Sequence, residues 1–421
     1  MGEDGTWDDT SRKRDQETAL HPLGSIQGQH GAARRGQHNF GMNQRLPDRR
    51  TPLRRFIAMS LMTVAAVSAA KARSFEAEGS DTGAGLGARY VALGGTGLVA
   101  SDDVYAIYLN PAGLVDVKGI EFALSRQLNA KLHPFNFVGI AWRLPLDERW
   151  AVRSTVAAAY YPRIHARAGG AFDEGDFESL FLRYLLPGIS GTFDGDIDTK
   201  TKSYRVALGV APLQSSRWSI GFYVERIDCR STFCGVHATS NGFTTSSTGA
   251  TAVGVGVGGR YRLSPNWTVA GSLSDLDTRL TLDSVTTDLA GTRTQQTRAR
   301  FPRKIAAGAA WQPSSGMVIA AEYEITKGQY GKSEIDLQVM RWGVEKLAHN
   351  WAYRAGAMVP VKIESSMTGK LHAPFPFSPT VGLGWRGGNL KVDFALYAHA
   401  VMSMHKDAVV PAADLSLSIS F

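Results

Sequence analysis

Ten histidines, two cysteines and a crowd of glycines are the residues of this 421-residue chain with the most chemical potential. A metallohydrolase needs ligands at fixed helical spacing, such as HExxH, and the histidines fall into no such pattern. The chain has no GxSxG elbow, no Walker-type phosphate loop and no paired carboxylates in a plausible frame. Gly83, Gly85, Gly87, Gly94, Gly95 and Gly97 offer a GxG match to a dinucleotide loop. They lack the preceding apolar strand and the following βαβ unit, so the match is rejected. Cys229 and Cys234 form a C-x4-C pair, which is neither a redox CxxC nor half of a zinc set. In an exported chain they are expected to close a local disulfide. The expectation is a protein that is not an enzyme, with no catalytic residues, no metal and no cofactor.

The remaining candidates are cations, and they lead to the elements that carry them. Arg205, Arg260 and Lys304 each lie on the polar side of an alternating segment, where a guanidinium or ammonium could hold a carboxylate. Tyr204, Val206, Leu208 and Val210 alternate with Arg205, Ala207 and Gly209. Val253, Val255, Val257, Tyr261 and Leu263 alternate with Gly254, Gly256, Gly258, Arg260 and Arg262. Lys304 alternates with Ile305, Ala307 and Ala309. Strict period-2 alternation is the mark of a strand with one apolar and one polar face. Pro302, beside Lys304, interrupts its strand and predicts a kink or weakened pairing there.

Fourteen such segments are predicted, near 119–126, 135–144, 149–161, 201–211, 217–228, 251–263, 266–283, 296–312, 316–327, 334–347, 350–361, 378–386, 389–400 and 412–421. The connections after even-numbered segments are short, and those after odd-numbered ones are mostly longer, including 162–200, 229–250 and 284–295. Short turns on one rim and long loops on the other are the pattern of a bacterial outer-membrane barrel. Trp142, Trp150, Trp218, Trp267, Trp311 and Trp351 lie near segment ends, as an interfacial girdle requires. No apolar run reaches the ~20 residues of a transmembrane helix. The last segment ends on Phe421 and resembles the C-terminal strand signal read by the barrel-assembly machinery. The fold class expected is all-β: a 14-stranded antiparallel transmembrane β-barrel in the outer membrane of a Gram-negative bacterium, monomeric and solvated by outer-membrane lipid.

Domain organisation follows from composition. Ile57 to Ala70 is apolar, follows Arg49, Arg50, Arg54 and Arg55, and precedes an A-x-A pattern at Ala70–Ala72. Residues 42–72 therefore read as a signal peptide. Residues 1–41 are polar and aperiodic, and are expected to be a disordered extension or to lie upstream of the true start at Met42. Residues 73–118 form a separate N-terminal segment, and 119–421 the barrel. The first 72 residues hold 11 of the 46 Lys and Arg and 7 of the 38 Asp and Glu, leaving a net 35 − 31 = +4 for the rest. No basic stripe with interleaved aromatics remains, so nucleic acid is not an expected partner.

The segment 73–118 carries a motif. Gly87-Ala88-Arg89, Gly94-Gly95, Asp102-Asp103 and Asn110-Pro111-Ala112-Gly113-Leu114 together resemble the N-terminal segment of the FadL/TodX family, and equally its PorV-type relatives. The resemblance implies a hatch in the lumen of a fourteen-stranded barrel, with Asn110, Pro111, Ala112 and Gly113 in that hatch. It implies passive uptake of hydrophobic compounds such as long-chain fatty acids, with hydrophobic small molecules as partners. The alternative it implies is a PorV-like barrel that docks secreted proteins or secretion components without transport. From the residues themselves, Asp102-Asp103 could cap a short helix at 103–109, which Asn110-Pro111 would stop.

One connection has helical periodicity. Phe177, Leu180, Phe181, Tyr184 and Leu185 recur at i, i+3, i+4, i+7 and i+8, and Pro187-Gly188 ends the run. An external amphipathic helix there could bind an apolar ligand, or pack on the barrel rim.

Overall fold

The computed structural model describes residues 73–82, 85–145, 151–172, 176, 193–213, 217–229, 238–240, 243–247, 250–288, 291–313, 316–330, 333–365, 369–370 and 377–421. Fourteen strands form the wall: β1 Ile120–Gln127, β2 Phe137–Arg143, β3 Val152–Phe172, β4 Phe193–Pro212, β5 Trp218–Cys229, β6 Ala250–Arg262, β7 in two parts, Trp267–Ser274 and Arg279–Asp288, and β8 Gly291–Trp311. The wall continues with β9 Met317–Tyr330, β10 Ser333–Ala348, β11 Trp351–Ser365, β12 Ser378–Gly387, β13 Leu390–Ala398 and β14 Pro411–Ser420. Each strand pairs antiparallel with the next, and β14 pairs with β1 from Asp414↔Gln127 to Ser420↔Glu121. The sheet therefore closes on itself, which is the way a β structure satisfies its backbone in lipid. Phe421 completes the seam by exchanging backbone hydrogen bonds with Ile120 at 2.8 and 3.2 Å.

The alternation places side chains as expected. Val206, Phe222, Val253 and Val381 are more than half exposed on the outside. Their neighbours Ala207, Tyr223, Ala252 and Thr380 are buried inside. A continuous outward apolar surface on a closed barrel is a lipid-facing belt, and this is an outer-membrane barrel. Trp142, Trp218, Trp267, Trp311 and Trp351 are exposed at the rim of short turns, and the Trp267 and Trp311 rings stack at 6.0 Å. Trp150 lies outside the described residues.

Three departures from the alternation are informative. β3 and β4 continue their pairing out to Phe172↔Phe193, well past the apolar belt, so much of the segment read as the loop 162–200 is strand. The loop read at 284–295 is likewise mostly strand, with β7 and β8 paired as far as Asp288↔Gly291. Above the membrane neither face of a hairpin meets lipid, so pairing continues without the alternating signal. β7 breaks between Ser274 and Arg279, where Asp275 and Asp277 take left-handed backbone angles of 57° and 55°. Asp tolerates that conformation better than most residues. Register shifts fall between Pro162 and Ile164 in β3 and between Arg300 and Arg303 in β8, so Pro302 sits at a bulge.

Candidate functional site

The segment before β1 fills the barrel. Strand Ser74–Glu78 pairs with the extended part of β3, Ser74 opposite Gly169 and Glu78 opposite His165. The chain then descends through helix α1, Ala88–Ala92, helix α2, Ala106–Leu109, and a 3-10 helix, Pro111–Asp116, before Gly119 turns it into β1. Nearly every residue from Leu86 to Val117 is buried. The described residues of this segment thus reach from the external side to the periplasmic rim.

Glycines in the wall make room for it. Asn110, Pro111 and Ala112 press against Gly209 of β4, Gly221 of β5 and Gly258 of β6, where an added Cβ would overlap Pro111 or Asn110. Leu93 and Gly94, at the end of α1, press in the same way on Gly343 of β10 and Gly356 of β11, and Ala92 on Gly382 of β12. Asn110 is fully buried and its polar atoms are all used: Nδ2 donates to the Leu98 carbonyl at 2.8 Å, and Oδ1 accepts the Ala112 N–H at 3.1 Å. This caps the 3-10 helix, and Pro111 at its first position needs no donor there. Gly113 packs against the Ser101 carbonyl. Helix α2 begins at Ala106, later than the expected 103. Asp103 accepts the Tyr105 N–H at 3.0 Å, while Asp102 pairs with Arg89 instead of capping.

Charge also ties hatch to wall. Arg89 of α1 makes a two-pronged pair with Glu345 of β10, at 3.0 and 2.9 Å, and faces Asp102 and Asp103. Glu345 continues to Arg354 of β11 at 2.6 Å, and Arg354 to Asp393 of β13 at 2.7 Å. A second network lies towards the external side. Arg163, the extra residue at the β3 bulge, meets Asp81 at 2.9 Å, Asp275 at 2.8 Å and Glu225 at 3.5 Å. Glu322 of β9 receives the backbone N–H groups of Gly97 and Leu98, both at 2.7 Å.

The three candidate cations line this lumen, and each carries a carboxylate of the protein. Arg205 pairs with Glu225, lies 3.7 Å from the Tyr223 ring centroid and donates to the Ile107 and Tyr108 carbonyls. Lys304 pairs with Asp81 at 3.0 Å. Arg260 pairs with Asp116 of the 3-10 helix. Arg262, two residues on, is exposed at the strand end. Each of the three thus already holds an internal carboxylate where a ligand carboxylate was expected. The helical run Phe177, Leu180, Phe181, Tyr184 and Leu185 lies outside the described residues, as does Cys234, the second half of the pair with Cys229.

Sequence reasoning missed a histidine pair on the external side. His133, in the β1–β2 loop, lies 3.0 Å from His165 of β3, nitrogen to nitrogen, and the other His165 nitrogen lies 2.9 Å from Asp198 of β4. An ionised carboxylate only accepts, so His165 Nε2 donates to Asp198 and His133 Nε2 donates to His165 Nδ1. Glu78 of the N-terminal strand accepts the backbone N–H groups of Leu132 and His133 at 2.9 and 3.1 Å. The two histidines are 32 residues apart. No spacing signal could have joined them.

No protein-family model matches the chain, and no curated protein matches it in sequence. Solved structures do. The toluene transporter TbuX of Ralstonia pickettii superposes with a TM-score of 0.51 at 16% identity, over 80% of this chain and 98% of TbuX. The P. putida toluene transporter TodX gives 0.50 at 14% identity, over 80% of this chain and 99% of TodX. The fold is that of TbuX and TodX. The fold implied by the hatch motif is therefore the fold found, and the likeness extends over nearly the whole length of both relatives.

Proposed function

We propose that the protein is a passive channel by which hydrophobic compounds cross the outer membrane, with the hatch as its moving part. The observation that carries this reading is the plugged lumen. Asn110 and Ala112 are fully buried against wall glycines that exist to receive them. A general diffusion porin keeps a water-filled lumen, and a hatch seated this closely argues against one. TbuX and TodX are toluene transporters, which supports a hydrophobic cargo here. Long-chain fatty acids and hydrocarbons are the two classes to test. In this reading the segment holding Phe177, Leu180, Phe181, Tyr184 and Leu185 captures ligand before it enters.

The test is to purify the barrel from membranes, extract it for lipid-class mass spectrometry, and measure binding of added oleate and toluene. A stoichiometric hydrophobic ligand, with protein-dependent uptake by cells, supports transport. An empty barrel that binds neither probe overturns it. The rival is a docking role, favoured by the long β3–β4 hairpin that rises past the lipid belt. It would show as a copurifying secreted protein with no small ligand.

A further inference from the structure

We propose that Lys200, Lys202 and Arg226 form a docking site on the outer wall of the barrel for the phosphorylated headgroup of a lipid in the external leaflet. The proposal is independent of the uptake reading, because the site faces away from the lumen.

The site lies where the apolar belt ends. On β4 the outward positions run Leu208, Val206 and Tyr204, all exposed, and the next two are Lys202 and Lys200. On β5 they run Ile220, Phe222 and Val224, and the next is Arg226, also exposed. The register brings these positions together. Tyr204 lies opposite Tyr160 of β3 on one side and Arg226 on the other, Lys202 opposite Asp228, and Lys200 opposite His165. The Tyr160 and Tyr204 rings meet at 5.3 Å. Tyrosines at the end of a lipid belt sit at the level of the headgroups. Lys202 and Lys200 stand about 7 and 13 Å beyond Tyr204 along the strand.

The nearby carboxylates are mostly engaged elsewhere. Asp198 is shared by Arg167 and His165, at 2.9 Å from each. Across β3, Glu76 pairs with Lys131 at 2.8 Å, and Glu78 accepts backbone N–H groups of the β1–β2 loop. Lys200, Lys202 and Arg226 have no ion-pair partner among the described residues. The charges that act on Lys200 are Lys202 and Arg167 as well as Asp198. Like charges held on one strand face repel, and an anion from outside the protein relieves that repulsion.

Place and chemistry set the partner. A group at this height beside an apolar wall is the headgroup of a lipid whose chains lie on Val206, Phe222 and Val224. Cations just outside an apolar belt attract anionic headgroups. Ammonium groups bind phosphate as point charges, and a guanidinium binds it through two parallel hydrogen bonds. Lipid A, the phosphorylated glycolipid of the external leaflet, has acyl chains for the belt and phosphates for the cations.

The protein, refolded in detergent free of native lipid, is titrated with lipid A and with its dephosphorylated form, and bound lipid is read by native mass spectrometry. The expected result is binding of lipid A about ten-fold tighter than of the dephosphorylated form. Lys202→Gln combined with Arg226→Gln should remove that preference. Arg262→Gln combined with Lys346→Gln, which removes two exposed cations at the short-turn rim, should leave it unchanged. Heat-shifted migration on a gel shows that each barrel is folded. Equal affinity for the two lipids overturns the proposal, as does a preference that survives loss of Lys202 and Arg226. A preference lost equally in both double variants assigns it to overall charge and also overturns the site. Inorganic phosphate in large excess should not displace lipid A. Displacement would mark a free-phosphate site and overturn the lipid assignment.

Discussion

Gly258 has no side chain because Asn110 occupies the space a Cβ would take. Gly258→Ala must push Asn110 from its seat, at a cost of about 1–3 kcal/mol for an overpacked site. The fourteen strands should survive, since the wall pairing does not pass through Asn110. In planar bilayers the variant should show open-channel conductance above that of the unaltered protein. Equal conductance would mean that the hatch is not seated on this glycine. Arg89→Ala tests the opposite wall. It leaves Glu345 and Asp103 buried with fewer partners, and stranding a buried charge costs about 3–5 kcal/mol. Part of that is offset here, because Arg354 still holds Glu345. The expected outcome is a lowered midpoint for the first unfolding step in guanidinium, with the barrel step unmoved. The motif glycines and Arg89 were legible in the sequence as a group because they fall in one short stretch. Their partners were not: Gly258 and Glu345 lie far along the chain, and only closure of the barrel brings them to the hatch.

At the scale of elements, the strap, strand Ser74–Glu78, lies beside the buried histidine pair: Glu78 sits opposite His165 and accepts the His133 backbone N–H. Burial is the main reason the His133 value falls from 6.5 to about 3, with His165, Lys200, Lys202 and Arg167 adding to it. Released from these contacts, His133 would bind a proton near 6.5, and buried beside the strap it does not. This contribution is therefore fully present above pH 6.5 and is lost as the pH falls towards 3. Hydrogen exchange at residues 74–78, corrected for intrinsic pH dependence, should quicken between pH 7.5 and 5. His133→Gln keeps a donor for His165 without a titrating group and should flatten that change. Unaltered exchange across this range would show that the pair does not hold the strap. The strap was not legible in advance, for a physical reason. Alternation reports a strand only where one face meets lipid and the other does not. β3 beyond Tyr160 is buried at most positions of both parities and is paired along its edges by the strap and β4, so no alternation marked it as strand. The same reasoning explains the missed helix α3, Ala400–Lys406, which lies in the β13–β14 connection with only Ser403 buried. The fourteen spans were legible because lipid imposes a clean period on each.

For the whole molecule, lipid is the solvent of one face and protein that of the other, so a charge has different consequences by position and depth. Val206 is 55% exposed on the lipid-facing part of β4, six residues before its end, and Leu263 is 61% exposed just beyond β6 at the short-turn rim. Exposure alone would rank Leu263 as the more sensitive site. Depth reverses the order: Arg at mid-membrane on a barrel costs about 2–4 kcal/mol, and near the interface about 0–1. Val206→Arg should therefore lower the stability measured by reversible guanidinium unfolding in lipid vesicles by the larger amount, and Leu263→Arg by little. The two variants share outward exposure and added charge, so the difference between them reports chiefly depth. In detergent micelles, which deform around a charge, the gap should shrink. Equal effects in vesicles would place Val206 at an interface, and with it the belt of a barrel whose described residues include no helix long and apolar enough to cross a membrane.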